Sequence, residues 1–188
     1  DFLNRWIELT KDDEQIRNLQ HLLDSTKEMW AAMAGSIVAG VVEKYGDEGR
    51  KIVKKAVFDA CKWQTEKRLK EAGITARGIM ALAKDGYPAE GAHIGDHGVF
   101  EMEHAHLDEK RFDLKVNSCP YVKTWKETGI IARCPDLCDL LTEGDNGVSS
   151  IFTQDHRMTL TKCMTKGDPY CIYSWREIEK DGKKSKRK

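Results

Sequence analysis

Between Asp12 and Tyr45 apolar side chains recur at three- and four-residue steps, at Ile16, Leu19, Leu23, Trp30, Met33, Ile37, Val41 and Tyr45. That spacing keeps one face of a helix apolar and predicts a long amphipathic helix. Gly35 and Gly40 fall inside it. Each glycine costs about 1 kcal/mol against alanine in a helix, so close helix packing is the expected compensation. Gly46 ends this helix and Asp47 can cap the next, which carries Ile52, Ala56, Val57, Ala60 and Trp63 inward and stops near Gly73. The two make a helical hairpin, and a short third helix is predicted over 76–84.

After the Gly-rich stretch GYPAEGAHIGDHG the period changes to two. Val99 to Leu107 alternates, with Phe100 and Met102 on one face and Glu101 and Glu103 on the other, and Phe112, Leu114 and Val116 alternate again. These are two strands of a hairpin turning around Asp108 to Lys110. Pro120 ends the second strand and opens a short helix with Tyr121, Val122 and Trp125 that finishes at Gly129; a further helix is predicted over 135–141. Met158, Leu160 and Lys162 alternate with Thr159, Thr161 and Cys163 before a KGDP turn, where Gly167 and Asp168 shape the bend, and CIYSW returns as a strand. Helices first and antiparallel strands later define an α+β fold. The expected divisions are a helical part over 1–90, a cysteine-rich sheet part of the same domain over 91–180, and a basic tail over 181–188.

Charge narrows the partners. Thirty-one basic side chains balance thirty-one acidic ones, which leaves no global field to hold nucleic acid or an anionic membrane. The uncharged stretch Met29 to Val42 is too short for the roughly twenty residues that cross a bilayer and reads as a buried helix segment. The expected partners are therefore a small-molecule substrate, with no nucleic acid and no membrane. A homo-oligomer is open, because the long apolar first helix could bury a face against a second copy.

Five of the six cysteines, Cys119, Cys134, Cys138, Cys163 and Cys171, stand in the second half of the chain, while Cys61 falls on the inner face of the second helix as a core residue. A disulfide-stapled secreted domain would be shorter and denser in cysteine and would follow a basic-then-apolar leader, so reduced thiols and a cytoplasmic setting are expected. The thiols then suggest a sulfur-lined small-molecule site. Cys119 stands where a strand meets a helix start, whose N–H groups favour a thiolate. Cys134 and Cys138 share a face if one helix holds both, and with Cys171 and Cys119 they could complete a zinc set. Closed zinc sites use paired knuckles, however, and this chain has one pair at most, so no cofactor is expected and zinc stays an open alternative. His93, His97, His104 and His106 cluster, with His104 and His106 on one strand face, as metal ligands or as solvated histidines. Asp139 could serve as an acid or base if burial raises its pKa. His156 is the preferred proton carrier. Arg133 and Arg157 can each grip both oxygens of a carboxylate. Trp125, Tyr121, Tyr173 and Trp175, with Cys171, would wall an apolar pocket.

From Asn117 to Trp175 the order of features resembles the L-2-amino-thiazoline-4-carboxylic acid hydrolase family: NSCPY leading into an aromatic helix, CPDLCD with Cys138 and Asp139, and the hairpin RMTLTKCMTKGDPYCIYSW. The helical first half, with EKYGDEG before an amphipathic helix, is similar to that family too. The resemblance implies hydrolytic opening of a cyclic C–N–S compound at an amidine-like carbon. The catalytic candidates are Cys119, Cys138, Asp139 and His156, and the substrate-binding candidates are Arg133, Arg157, Trp125 and Cys171. The closing G-D-x-x-C hairpin also resembles the small-molecule-binding domains called vinyl reductase 4-type, which bind ligands without turning them over. The alternative to a hydrolase is such a sensor module.

Overall fold

The computed structural model describes residues 13–87 and 100–178 of the 188. His93, His97 and the basic tail over 181–188 lie outside the described residues. The described residues open on a long helix, α1 (Asp13–Glu71), folded back on itself at Gly46. There the backbone takes φ 55° and ψ −129°, a left-handed value that favours glycine. The two arms, 13–45 and 47–71, are the predicted hairpin.

The short helix α2 (Ile79–Ala81) runs into a single π turn over Leu82–Gly86, where a continuous helix over 76–84 was expected. The sheet follows, with β1 (Glu101–Leu107), β2 (Arg111–Ser118), β3 (His156–Lys162) and β4 (Cys171–Glu177), all antiparallel in the order β1-β2-β4-β3. Between its two hairpins lie the helices α3 (Pro120–Glu127), α4 (Ile130–Arg133), α5 (Leu137–Leu141) and α6 (Glu143–Phe152). This is the α+β class that the periodicity predicts.

The phase of the long helix is not the predicted one. Trp30, Met33, Ile37 and Tyr45 are 46–61% exposed, and the arm buries Ala31, Gly35, Val38, Ala39 and Val42 instead. The reason is close packing. Trp125 of α3 donates its indole N–H to the Ala31 carbonyl at 2.8 Å, and a Cβ on Gly35 would stand 2.8 Å from that same nitrogen. Only a face of small residues admits an indole so near the backbone. In the second arm Ile52 and Trp63 likewise point outward, whereas Val53, Thr65 and Leu69 are buried.

Helix α6 has no counterpart in the periodicity, since Gly144 and Gly147 weaken it locally. Tertiary contact makes it. A Cβ on Gly147 would lie 2.3 Å from the Phe58 carbonyl oxygen, and one on Gly144 would lie 2.7 Å from the Cys61 sulfur, so the two glycines let α6 press directly on the second arm. Asn146, between them, accepts from the Met158 N–H at 2.9 Å and ties α6 to the β3 edge.

The sheet has two unlike faces. On the inner one Phe112 stacks on Trp175 at 4.9 Å, with Tyr87, Leu114 and Met158 around them and Leu69 and Ile79 packed from the helical half. On the outer one Asp113, Lys115, Ser174 and Arg176 form a polar layer. A register shift between His104 and His106 separates the two histidines that were expected on one face. His104 pairs with Leu114 and sits edge-on to Phe112, while His106 pairs with Asp113 and bonds Asp108 at 2.8 Å.

Candidate functional site

Between the helical arms and the inner sheet face lies a cavity of about 530 Å³. Its roof comes from α1, with Trp30, Ala31 and Ala34 on one arm and Cys61, Gln64, Thr65 and Arg68 on the other; its floor is Met102, Leu114, Val116 and Tyr173. Three helix starts supply its side. Cys119, Tyr121 and Trp125 come from the strand-to-helix junction at α3, Cys138 from α5, and Asp145 and Val148 from α6. The lining is mainly apolar with a few polar groups, the make-up of a small-molecule site.

Among the described residues, Asp145 is the carboxylate that lines this cavity. The Gly144 and Gly147 contacts place its turn of α6 beside the second arm, and the Tyr87 hydroxyl donates to it at 2.5 Å. Burial, then the Asp145 charge, holds the phenols of Tyr87 and Tyr173 above their ordinary range. The same two causes push the Cys61 thiol up to about 11. One acid thus adds to the effect of burial at several walls.

The Cys119 thiol is shaped by opposing forces. Burial raises its pKa, and the backbone N–H groups of Val122 and Tyr121, at the helix start, partly offset that by favouring the thiolate. The helix-start effect expected from the sequence is present, and burial outweighs it. Behind the cavity wall Cys138, Cys163 and Cys171 gather with Val116 in a small buried core. Hydrogen bonding with Cys138, Cys171 and Thr165 holds the Cys163 pKa below the ordinary thiol value, and the bonds of Cys138 with Cys163 and Cys171, together with burial, push Cys138 up. All six cysteines are free thiols.

Of the side chains singled out in the sequence, Cys119, Cys138, Trp125, Tyr121 and Tyr173 line this one cavity. Cys171 lies behind Cys138, where its sulfur accepts from the Met164 N–H at 3.3 Å. Asp139 points elsewhere. It pairs with Lys166 at 2.7 Å and, with Arg157 and Arg50, borders a separate surface hollow. Arg133 grips both oxygens of Glu43 at 2.8 and 2.7 Å, and Arg157 bonds Glu143 at 3.2 Å. His156 bonds Thr153 through Nδ1 at 3.0 Å, and its Nε2 is buried with no hydrogen-bond partner. Trp175 is wholly buried in the sheet core. Cys134 and Cys138 do not share a helix, because Cys134 closes α4 and packs in the helical core. Among the described residues no three His, Cys, Asp or Glu side chains gather in a way that could hold a metal ion. The sequence reading passed over Asp145, Tyr87, Gln64, Thr65 and Arg68. For Asp145 the one available signal was two glycines three apart flanking an acidic turn.

The fold and the cavity place the chain among α+β proteins that enclose a hollow between a helical layer and an antiparallel sheet. It belongs to the L-2-amino-thiazoline-4-carboxylic acid hydrolase family, whose sequence model matches residues 24–175. No curated protein matches the chain. Among solved structures it is similar in fold to trafficking protein particle complex subunit 3 from Naegleria fowleri covalently bound to palmitic acid. That likeness has a TM-score of 0.54 at 13% identity and covers 82% of this chain and 96% of the other. A second likeness is to the phenol-responsive sensory domain of the transcription activator PoxR with phenol, with a TM-score of 0.58 at 14% identity over 80% and 75%. At these identities the likeness is one of fold.

Proposed function

We propose that the cavity binds a small cyclic amidine-like or thiazoline-like compound, of the 2-aminothiazoline carboxylate type, and hydrolyses it. The observation that carries this reading is the meeting of Cys119, Cys138 and the Asp145–Tyr87 pair in one largely apolar hollow of substrate size. Membership of the hydrolase family supports it.

In this reading Cys119 Sγ adds to the ring carbon between nitrogen and sulfur, the ring C–S bond breaks, and the thiol proton passes to the departing sulfur. Water then adds to the same carbon and displaces Sγ. Its oxygen becomes the carbonyl of the carbamoyl product, and Cys119 regains its proton. Asp145, held by Tyr87, faces the cationic amidine and stabilises it. Trp125 and Tyr121 pack against the ring. The helix-start N–H groups beside Cys119 favour its thiolate at the moment of attack.

A second reading, a ligand-binding module without turnover, draws on the apolar lining and on the raised Cys119 thiol. A screen of cyclic amidines, thiazolines and lactams, read by product mass, separates the two. The hydrolase reading expects a ring-opened product and a loss of about 10²-fold or more in turnover for Cys119→Ser with the fold retained. Ligand-induced thermal stabilisation with no product from any ring would establish the binding module and discard the hydrolase.

A further inference from the structure

The first arm of α1 carries a second apolar face that the fold does not use. With successive residues 100° apart, Leu22, Thr26, Met29, Met33, Ser36, Ile37 and Gly40 form one stripe, flanked by Leu23 and Trp30. The buried residues Ala31, Gly35, Val38 and Val42 lie on the opposite side. Leu22, Met29, Trp30, Met33 and Ile37 are 46–65% exposed. Asp24, Lys27 and Glu28 fall outside the stripe, so about 30 Å of helix surface carries no charge. An exposed apolar band of this length marks an interaction surface.

We infer that this stripe is where a second copy of the chain packs, arm against arm and antiparallel, about a two-fold axis near Met33. Three features select that occupant. The exposed large side chains of the stripe and its flanks, from Leu22 to Ile37, present roughly 600 Å², approaching the roughly 800 Å² that each partner of a stable complex contributes. The stripe is also self-complementary end for end. An axis at Met33 sets Trp30 of one copy against Ile37 of the other, and Thr26 against Gly40, where an added Cβ would meet nothing within 4 Å. Finally, the flanking charges are mixed and mostly acidic, with Asp24, Glu28 and Glu43 against Lys27 and Lys44, so the arm lacks the basic polar face with which a helix lies on anionic lipid. Trp30 flanks the stripe and also lines the cavity wall, so the second copy covers the cavity at that rim. The association stands independently of the chemistry inside the cavity.

The test is mass in solution across a wide dilution series. The full chain is expected at twice its 21.4 kDa, and the double variant Met33→Glu, Ile37→Glu at a single mass with unchanged helical circular dichroism. A Met33→Cys variant is expected to cross-link to itself under mild oxidant while the unaltered chain does not. A wild-type chain that stays monomeric, or a double variant that stays dimeric, overturns the inference. A Met33→Cys dimer that does not cross-link overturns the antiparallel arrangement. Binding of a monomeric wild type to anionic vesicles, lost in the double variant, would assign the stripe to a membrane and overturn it as well.

Discussion

Asp113 and Asp145 are both drawn into the fold, on opposite sides of one sheet, and their surroundings differ. Asp113, its side chain 6% exposed, stands on the outer face, where Arg176 donates at 2.6 Å, Ser174 at 2.7 Å and Arg111 at 2.9 Å. Burial alone would raise its pKa, but the bonds from Arg176, Arg111 and Ser174 outweigh that and hold it at about 2. Its charge is neutralised on the spot, and the result is a cross-strand clamp. Asp145 faces a phenol, and its charge is felt by Tyr87, Tyr173 and Cys61 around a cavity. A carboxylate saturated by guanidinium groups serves the scaffold. One whose field spreads across a hollow can serve a ligand.

The largest effect on this comparison comes from the element that carries Asp145. Gly147→Ala would drive a methyl group into the Phe58 carbonyl, a backbone atom that cannot step aside. The expected cost is about 3 kcal/mol, read as a lowered denaturant midpoint, together with loss of ligand binding as α6 moves off the second arm. A variant as stable as the parent would show that the glycines do not set the position of α6.

Asp113→Asn is expected to cost about 2 kcal/mol near neutral pH, the worth of a carboxylate held at about 2 against an ordinary value of 3.8. The depressed folded-state pKa means that this contribution is fully present above about pH 5 and is lost as pH falls towards 2. Stability of the parent should therefore drop through that window, and the drop should be shallower in the variant. Identical acid limbs in the two proteins would remove Asp113 as the clamp.

Much of the scaffold was legible because its signals are local. The helical hairpin showed in the three- and four-residue spacing and in Gly46, and the sheet showed in the alternation of Phe112, Leu114 and Val116. Cys119, Cys138 and Trp125 were legible as residues with a plausible role, and the chain brings them to one hollow. What escaped depends on contacts between distant segments. The small face of the first arm is buried because Trp125 reaches it, and α6 is a helix because two glycines fit against Phe58 and Cys61. Asp139 and Asp145 have the same side chain six residues apart, and only the packing of α5 and α6 turns one to Lys166 and the other to the cavity.

The smallest and most discriminating effect concerns Asp145 itself. Replacing it with asparagine keeps the shape of the side chain and removes the charge, so stability should change by less than about 1 kcal/mol, unlike the loss at Asp113. The readout is the titration of a neighbour. Cys61 stands at about 11 chiefly because it is buried and secondly because Asp145 is near. Asp145→Asn should therefore bring the Cys61 thiol part of the way down, seen as faster alkylation at mildly alkaline pH in a chain whose other cysteines are unchanged. The alkylated site is identified by peptide mass. Should Cys61 react at the same rate in both proteins, the Asp145 charge does not reach the wall of the cavity, and the contrast between the two carboxylates loses its electrostatic half. Should it react faster while ligand affinity falls, one acid both sets the field of the hollow and holds what enters it.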